Sequence, residues 1–147
     1  MTPRFLERAT VQAKLRLMQE VLDDLALISD VTTQRLQDDR LALRAVERML
    51  TQLVDLAASV NAHVVTAVAG SAPNSYRSSF DDIAKLDVVP HQLAERLKPS
   101  VGLRNLLVHE YAAVDLERVV AAVPIAEEQY ADYVRCVAGW LAAQADE

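Results

Sequence analysis

The sequence RLALRAVERMLTQLVDLAASVNAHVVTAVA, residues 40–69, decides the fold class. Apolar side chains recur in it at steps of three and four residues, which is the spacing along one face of an α-helix. The members of this stripe are Leu43, Val46, Leu50, Leu53, Val54, Ala57, Val60, Val64 and Val68. Gly70 follows the stripe and is typical of a helix terminator. We therefore predict one long helix that buries this face.

The segment before this helix has the same periodicity. Thr2 followed by Pro3 is typical of an N-cap and a first helical residue. A stripe then runs over about six turns, through Leu6, Ala9, Ala13, Leu17, Val21, Leu25 and Ile28. The sequence SDVTT, residues 29–33, interrupts it with capping residues. We predict a first helix that ends there and a second that begins near residue 40.

The rest of the chain predicts a loop and shorter helices. The sequence SAPNS, residues 71–75, is the clearest loop. The helices after it should cover about residues 75–86, 90–97, 99–111 and 115–143. Pro90 and Pro99 open the second and third of these, and Asp115 caps the last. Pro124 should kink or restart that last helix.

Together these elements predict an all-α protein. The connections between helices are short, which favours an antiparallel bundle of four or five helices. The chain has 147 residues, a length that suits one domain with a buried core. We therefore predict a single helical domain over residues 1–147.

Composition excludes several classes of protein. Hydrophobic residues make up 52% of the chain and charged residues 24%, a globular balance. The single cysteine, Cys136, cannot form an intramolecular disulfide, and no leader or long apolar run is evident, so we expect a cytoplasmic protein without a membrane span. The net charge of −6 argues against a sequence-independent coat for nucleic acid.

Arg40, Arg44 and Arg48 form a basic ridge, but interleaved acidic residues favour a solvated face over an RNA path.

A second feature is the run RNLLVHEY, residues 104–111, which brings several polar side chains into a predicted helix. At helical spacing, Arg104 and Tyr111 point within about 20° of each other and share a face. Asn105 and His109 are four residues apart and also share a face. The polar residues of this run therefore divide into two pairs.

Arg104 and His109, in contrast, point about 140° apart on a regular helix. Two arrangements would bring guanidinium and imidazole together. In one, Gly102 loosens the start of the helix and the long arginine side chain swings over. In the other, two copies of the run meet at a subunit interface.

These residue types suit the cleavage of an RNA phosphodiester. That reaction needs a base for the 2′-OH proton and an acid for the leaving oxygen, and imidazole, with an ordinary pKa of about 6.5, serves either step at neutral pH. It also needs fixed positive charge on the phosphorane oxygens, which a guanidinium supplies. His109 and Arg104 are the candidate catalytic pair, and Asn105 would fix the histidine tautomer or bind a phosphate. The histidines have no metal-ligand spacing, so we predict no metal and no cofactor.

The run resembles the R-x4-H signature of the HEPN superfamily, in the R-x4-H-x-Y form that is typical of HepT-like toxins. The resemblance extends over roughly residues 30–135. It covers DDRLALRAVERML (38–50), NSYRSSFDDIAKL (74–86) and VGLRNLLVHEYAAVDLERVV (101–120), in that order and spacing.

The resemblance implies a helical homodimer that joins two motifs in one cleft and acts as a metal-independent endoribonuclease, a toxin of a toxin–antitoxin pair. Arg104 and His109 match the catalytic positions, and Asn105 matches the polar position beside them. The implied partner is an MNT-type nucleotidyltransferase antitoxin, which transfers AMP to the motif tyrosine. Tyr111 occupies that position, where an anionic adenylate would block RNA by volume and by charge.

Other interpretations remain open. The run could be an amphipathic helix with a solvated Arg104 and a packed Tyr111. The chain could also be a catalytically inactive HEPN module that binds a substrate or nucleotide beside a nucleotidyltransferase, or a helical adaptor without RNA chemistry. Tyr76, in the run NSYRSSF (74–80), is predicted to be an anchor that packs the loop.

Overall fold

The long helix predicted over residues 40–69 is present and forms the centre of the molecule. A computed structural model describes residues 6–28, 30–109 and 115–144 of the chain. Within these ranges it contains the helices α1 (Arg8–Leu27), α2 (Thr33–Asp38), α3 (Arg40–Ala69), α4 (Tyr76–Lys85), α5 (His91–His109) and α6 (Leu116–Ala143). The described residues contain no β-strand. The prediction of an all-α helical bundle is confirmed.

Helix α3 packs against all the other helices of the described structure. Its predicted stripe is buried from Val46 to Val64, whereas Leu43 is half-buried and Val68 is 40% exposed. The helix ends at Gly70, whose φ of 85° lies in the left-handed region that glycine adopts without a steric penalty. The face that the sequence marked as apolar is therefore the face on which the bundle is built.

By length and composition alone, α3 could also cross a lipid bilayer. The central helix of a soluble protein has the same properties, because it is apolar on the sides that its neighbours cover. Helices α1, α4, α5 and α6 all contact α3. The buried face of α3 in this core contributes to its hydropathy.

The prolines do not divide the later helices as the sequence predicted. Helix α5 runs unbroken through Pro99, where we predicted two helices, and α6 runs unbroken through Pro124. A proline inside a helix removes one backbone hydrogen bond and leaves a carbonyl without its donor. The carbonyls that lose their donors belong to Glu95, which is exposed, and Val120, which is half-buried, so water can solvate them and the helices can continue.

The apolar stripe predicted for the first half of α1 was wrong. Leu17 is 47% exposed and Ala9 and Ala13 are also exposed. The buried residues of α1 are Val11, Leu15, Met18, Val21, Leu22 and Leu25. The helix carries two apolar stripes that merge at Val21, and the fold buries the one with larger side chains because it removes more apolar area from water.

The short helix α2 lies in a segment for which we predicted no helix. Its N-cap is Thr32, whose hydroxyl oxygen accepts a hydrogen bond from the Arg35 backbone N–H at 3.1 Å. Only Leu36 is buried in it. A single buried residue produces no periodic pattern, so the sequence could not reveal this helix.

A buried cluster of polar side chains connects three of the helices. Asn61 on α3 is fully buried, and its amide nitrogen donates to the Ser79 hydroxyl on α4 at 3.1 Å. The Tyr133 hydroxyl on α6 lies 2.5 Å from the Asn61 side-chain oxygen and donates to it. Ser79 in turn donates to the backbone carbonyl of Tyr76 at 2.6 Å. The cluster thus fixes the first turn of α4 against the core.

The cluster keeps its hydrogen bonds at neutral pH. Burial raises the pKa of Tyr133 well above its ordinary value, so the hydroxyl stays protonated and remains a donor. A buried polar group without a partner costs about 1–3 kcal/mol. Each member of the cluster therefore depends on the others.

We expect the substitution Tyr133→Phe to lower the free energy of unfolding by about 1–2 kcal/mol, because Asn61 then loses the donor to its side-chain oxygen. Urea denaturation of the two proteins measures this difference. Tyr76→Phe is the matched control, since it removes a hydroxyl from a half-exposed ring and should change stability by less than about 0.5 kcal/mol. Equal losses for both variants would contradict the role assigned to the cluster.

Candidate functional site

The polar run of residues 104–111 lies at the carboxyl-terminal end of α5. The described part of it, up to His109, is regular helix, and Gly102 lies inside the helix instead of at its start. A loosened helix start at Gly102 is therefore wrong as an explanation of how Arg104 could reach His109. On this unbroken helix the two side chains leave the axis about 140° apart.

Arg104 is held in one orientation by three neighbours. Its Nε donates to Oδ1 of Asp55 on α3 at 2.9 Å. Its guanidinium lies over the ring of Tyr76, 5.0 Å from the ring centroid. Its Nη1 donates to the side-chain oxygen of Asn105 at 3.3 Å. These contacts come from three different helices, so tertiary packing sets the direction of the guanidinium.

The ion pair between Arg104 and Asp55 is only partly accessible to water. The side chains are 18% and 34% exposed, respectively. Partial burial weakens screening by solvent, so this pair holds the guanidinium more firmly than a fully exposed pair would. Among the residues that the structure describes, Nη2 of Arg104 has no hydrogen-bond partner. One edge of an oriented guanidinium is thus available to an anion.

Arg104 borders a cavity of about 270 Å³ between α4 and α5, which we call the polar cavity because five of its six lining residues have polar side chains. The residues that line it are Ser75, Tyr76, Arg77, Val101, Arg104 and Asn105. Ser75 begins α4 with a capping box, in which its hydroxyl accepts from the Ser78 N–H and the Ser78 hydroxyl accepts from the Ser75 N–H, each at 3.0 Å. The cap and the buried cluster together give this wall of the cavity a fixed position.

Arg104 also borders a second cavity, of about 220 Å³, between α3, α5 and α6. Most of its lining is apolar, including Leu50, Leu103 and the 52% exposed Ile125. Arg104 is therefore a lining residue of both cavities.

His109 is the last residue of α5 and is exposed. Within the described ranges it forms no hydrogen bond or ion pair. Asn105, which shares its helix face, bonds to Arg104 and not to His109. Tyr111 lies outside the described residues, so its predicted position on the face of Arg104 stays a prediction. The structure thus brings Arg104 and Asn105 together but leaves His109 apart from them.

Three residues at this site lie outside the sequence motif and were not predicted as site residues. Asp55 and Tyr76 hold Arg104, and Arg77 lines the cavity. Tyr76 was predicted to pack the loop, but its ring is 38% exposed and carries the guanidinium. Asp55 offered a signal, because it interrupts the apolar stretch of α3 and a carboxylate there needs a partner.

The described residues contain no group of three or more His, Cys, Asp or Glu side chains that could hold a metal ion. A metal-independent reaction therefore remains a prediction from the sequence. The groups that the site itself supplies are a guanidinium, an amide and, on the far side of α5, an imidazole.

Comparison with known proteins is consistent with this fold and motif. The chain is 27% identical over 136 residues to a tRNA nuclease HepT of Aphanizomenon flos-aquae, covering 92% of each chain. It is 28% identical over 126 residues to an mRNA nuclease HepT of Shewanella oneidensis, covering 86% of this chain and 89% of the relative. These relatives are nucleases of the type that the motif resembles.

Solved structures share the fold at lower identity. The cytosolic protein YutE of Bacillus subtilis, whose function is unknown, matches with a TM-score of 0.84 at 16% identity, over 100% of this chain and 99% of that one. A tri-AMPylated HEPN toxin of Shewanella oneidensis, in complex with an MNT antitoxin, matches with a TM-score of 0.66 at 23% identity, over 90% and 93%. The model of the ribonuclease HepT-like family matches residues 18–137. The chain belongs to the ribonuclease HepT-like family.

Proposed function

We propose that this protein is the toxin of a toxin–antitoxin pair and acts as a metal-independent endoribonuclease. Arg104 and His109 are its catalytic residues, with Asn105 beside them. The observation that carries the proposal is an arginine of the R-x4-H motif that is fixed by Asp55 and lines a cavity, in a chain of the ribonuclease HepT-like family. The nuclease names of two relatives support the same activity.

The proposed reaction uses the RNA 2′-OH as the nucleophile. The imidazole of His109 accepts the 2′-OH proton as the oxygen attacks phosphorus. The bond from phosphorus to the 5′-oxygen breaks as that oxygen takes a proton from water, which leaves a 2′,3′-cyclic phosphate and a free 5′-OH. Arg104 stabilises the charge that develops on the non-bridging oxygens, because a pre-oriented guanidinium needs no reorganisation in the transition state. Asn105 keeps the guanidinium in place and can bond to a phosphate oxygen.

We further propose that the active site is completed in a homodimer. Support comes from the geometry of α5, whose unbroken course past Gly102 keeps Arg104 and His109 apart within one chain. An interface with two-fold symmetry places the same surface of two subunits face to face. Arg104 of one subunit can then act on the phosphate whose ribose is approached by His109 of the other.

The proposed antitoxin is an MNT-type nucleotidyltransferase that transfers AMP to Tyr111. Support comes from the related Shewanella oneidensis fold, a HEPN toxin that carries AMP and is bound to an MNT antitoxin. An adenylate beside a cavity that binds phosphate would compete with RNA by charge and by volume. The site of action is the cytoplasm, where RNA and ATP are both present.

The proposed catalysis predicts that His109→Ala abolishes RNA cleavage and growth inhibition. Because His109 is exposed and has no partner among the described residues, the fold should change in stability by less than about 0.5 kcal/mol. Cleavage of bulk tRNA and mRNA by purified protein, with thermal unfolding in parallel, measures both effects.

The matched control is His91→Ala, since His91 is an exposed histidine at the opposite end of α5. It should leave cleavage unchanged. Undiminished cleavage by His109→Ala would contradict the proposal and favour the inactive binding module or adaptor.

The proposed neutralisation predicts a covalent adenylate on the toxin after co-expression with an active MNT-type nucleotidyltransferase. Intact-mass and peptide mass spectrometry should find AMP on the peptide that contains Tyr111. Tyr111→Phe should remain toxic and escape this control, and an antitoxin with an inactivated active site should leave the wild-type toxin unmodified. An unmodified Tyr111 peptide in the presence of the active antitoxin would contradict the mechanism.

A further inference from the structure

Arg77 is a second arginine in the polar cavity beside Arg104. It is the second residue of α4, is exposed, and lines the cavity together with Tyr76, Arg104 and Asn105. Among the residues that the structure describes, it forms no hydrogen bond and no ion pair. The cavity therefore contains one arginine that is held and one that is free.

The carboxylate that would ordinarily pair with Arg77 is already engaged. Asp81 lies four residues further along α4, the spacing at which opposite charges pair on a helix. Its Oδ1 instead contacts Nζ of Lys98 on α5 at 2.5 Å. Lys98 also contacts Glu95 at 2.7 Å, which fixes it further in that place. The contact between α4 and α5 thus engages the carboxylate that stands four residues after Arg77.

Arg77 consequently adds to the cavity a positive charge that no described carboxylate offsets. Asp55 offsets part of the charge of Arg104, because their atoms are 2.9 Å apart. The other lining residues, Ser75, Tyr76, Val101 and Asn105, carry no charge. In a protein with a net charge of −6, a phosphodiester needs such a local cation to approach.

We propose that Arg77 binds a phosphate of single-stranded RNA next to the phosphate that is cleaved. The inference rests on the proposed ribonuclease function and extends its site from α5 to α4. Arg104 acts on the scissile phosphate, and Arg77 holds the neighbouring one, so that the strand crosses the cavity between the two helices. The Asn61 cluster and the Ser75 cap hold the backbone that carries Arg77 in position.

Salt dependence of RNA binding tests this role directly. Each phosphate contact with single-stranded nucleic acid contributes about 0.7 to the slope of log K against log salt concentration. We expect Arg77→Gln to reduce that slope by about 0.7 and to weaken binding roughly tenfold at low salt, since it removes one charge-assisted contact. The probe is a fluorescent oligouridylate, titrated with the uncleaving His109→Ala protein as the parent.

The matched control is Arg16→Gln in the same parent. Arg16 is also an exposed helical arginine without a described partner, but it lies on α1, which contributes no residue to the cavity. The control changes the net charge of the protein by the same amount. It should keep the slope and the affinity of the parent.

Steady-state kinetics provide a second measurement, made in the protein that keeps His109 and therefore cleaves RNA. Some residues bind only a phosphate that does not react. Loss of such a residue should raise KM and leave kcat nearly unchanged. Arg77→Gln should therefore raise KM for RNA about tenfold, and Arg77→Lys should recover part of the loss because a point charge remains.

The outcomes separate this inference from the proposed function. If the wild-type protein cleaves RNA while Arg77→Gln keeps the parental slope and the wild-type KM, the assignment of Arg77 is overturned and the ribonuclease stands. If the wild-type protein does not cleave RNA and the His109→Ala protein does not bind the probe, the proposed function fails and the inference fails with it.

Discussion

The buried side chain of Asn61 is the constraint on which the arrangement of this bundle depends. An amide in an apolar core is tolerated only when its donor and acceptor are satisfied, and here they are satisfied by Ser79 and Tyr133. These bonds connect α3 to α4 and to α6, so polar contacts as well as apolar packing fix the register of the three helices. Because Ser79 also binds the Tyr76 carbonyl, that register sets where the ring beneath Arg104 lies.

The sequence predicted the fold well wherever one apolar stripe dominated a segment. Helix α3 has such a stripe and a glycine end, and its bounds agree with the structure. Helix α1 has two competing stripes, and only the tertiary structure decides which is buried. The predicted helix boundary at Pro99 was wrong, because α5 continues through this proline. A helix tolerates a proline when the backbone carbonyl that loses its donor faces solvent, and local sequence does not specify whether it does.

The candidate site could be predicted only in the part that is contiguous in sequence. Arg104, Asn105 and His109 stand within one short run, so their spacing and chemistry were evident, although their catalytic roles remain proposals. Asp55 lies 49 residues from the arginine it orients, and its relation to Arg104 exists only once α3 and α5 have packed. A single sequence does not indicate which residue pairs with Asp55. Its only signal is an isolated carboxylate in an apolar face, which needs a partner.

We propose that each active site takes Arg104 from one subunit and His109 from the other. Mixing Arg104→Ala with His109→Ala chains, by unfolding and refolding them together, tests it through RNA cleavage. Each variant alone should be inactive. Because half of the randomly formed dimers are mixed and each mixed dimer has one intact site of two, the mixture should recover about a quarter of wild-type activity. A mixture that forms dimers and remains inactive would contradict the claim.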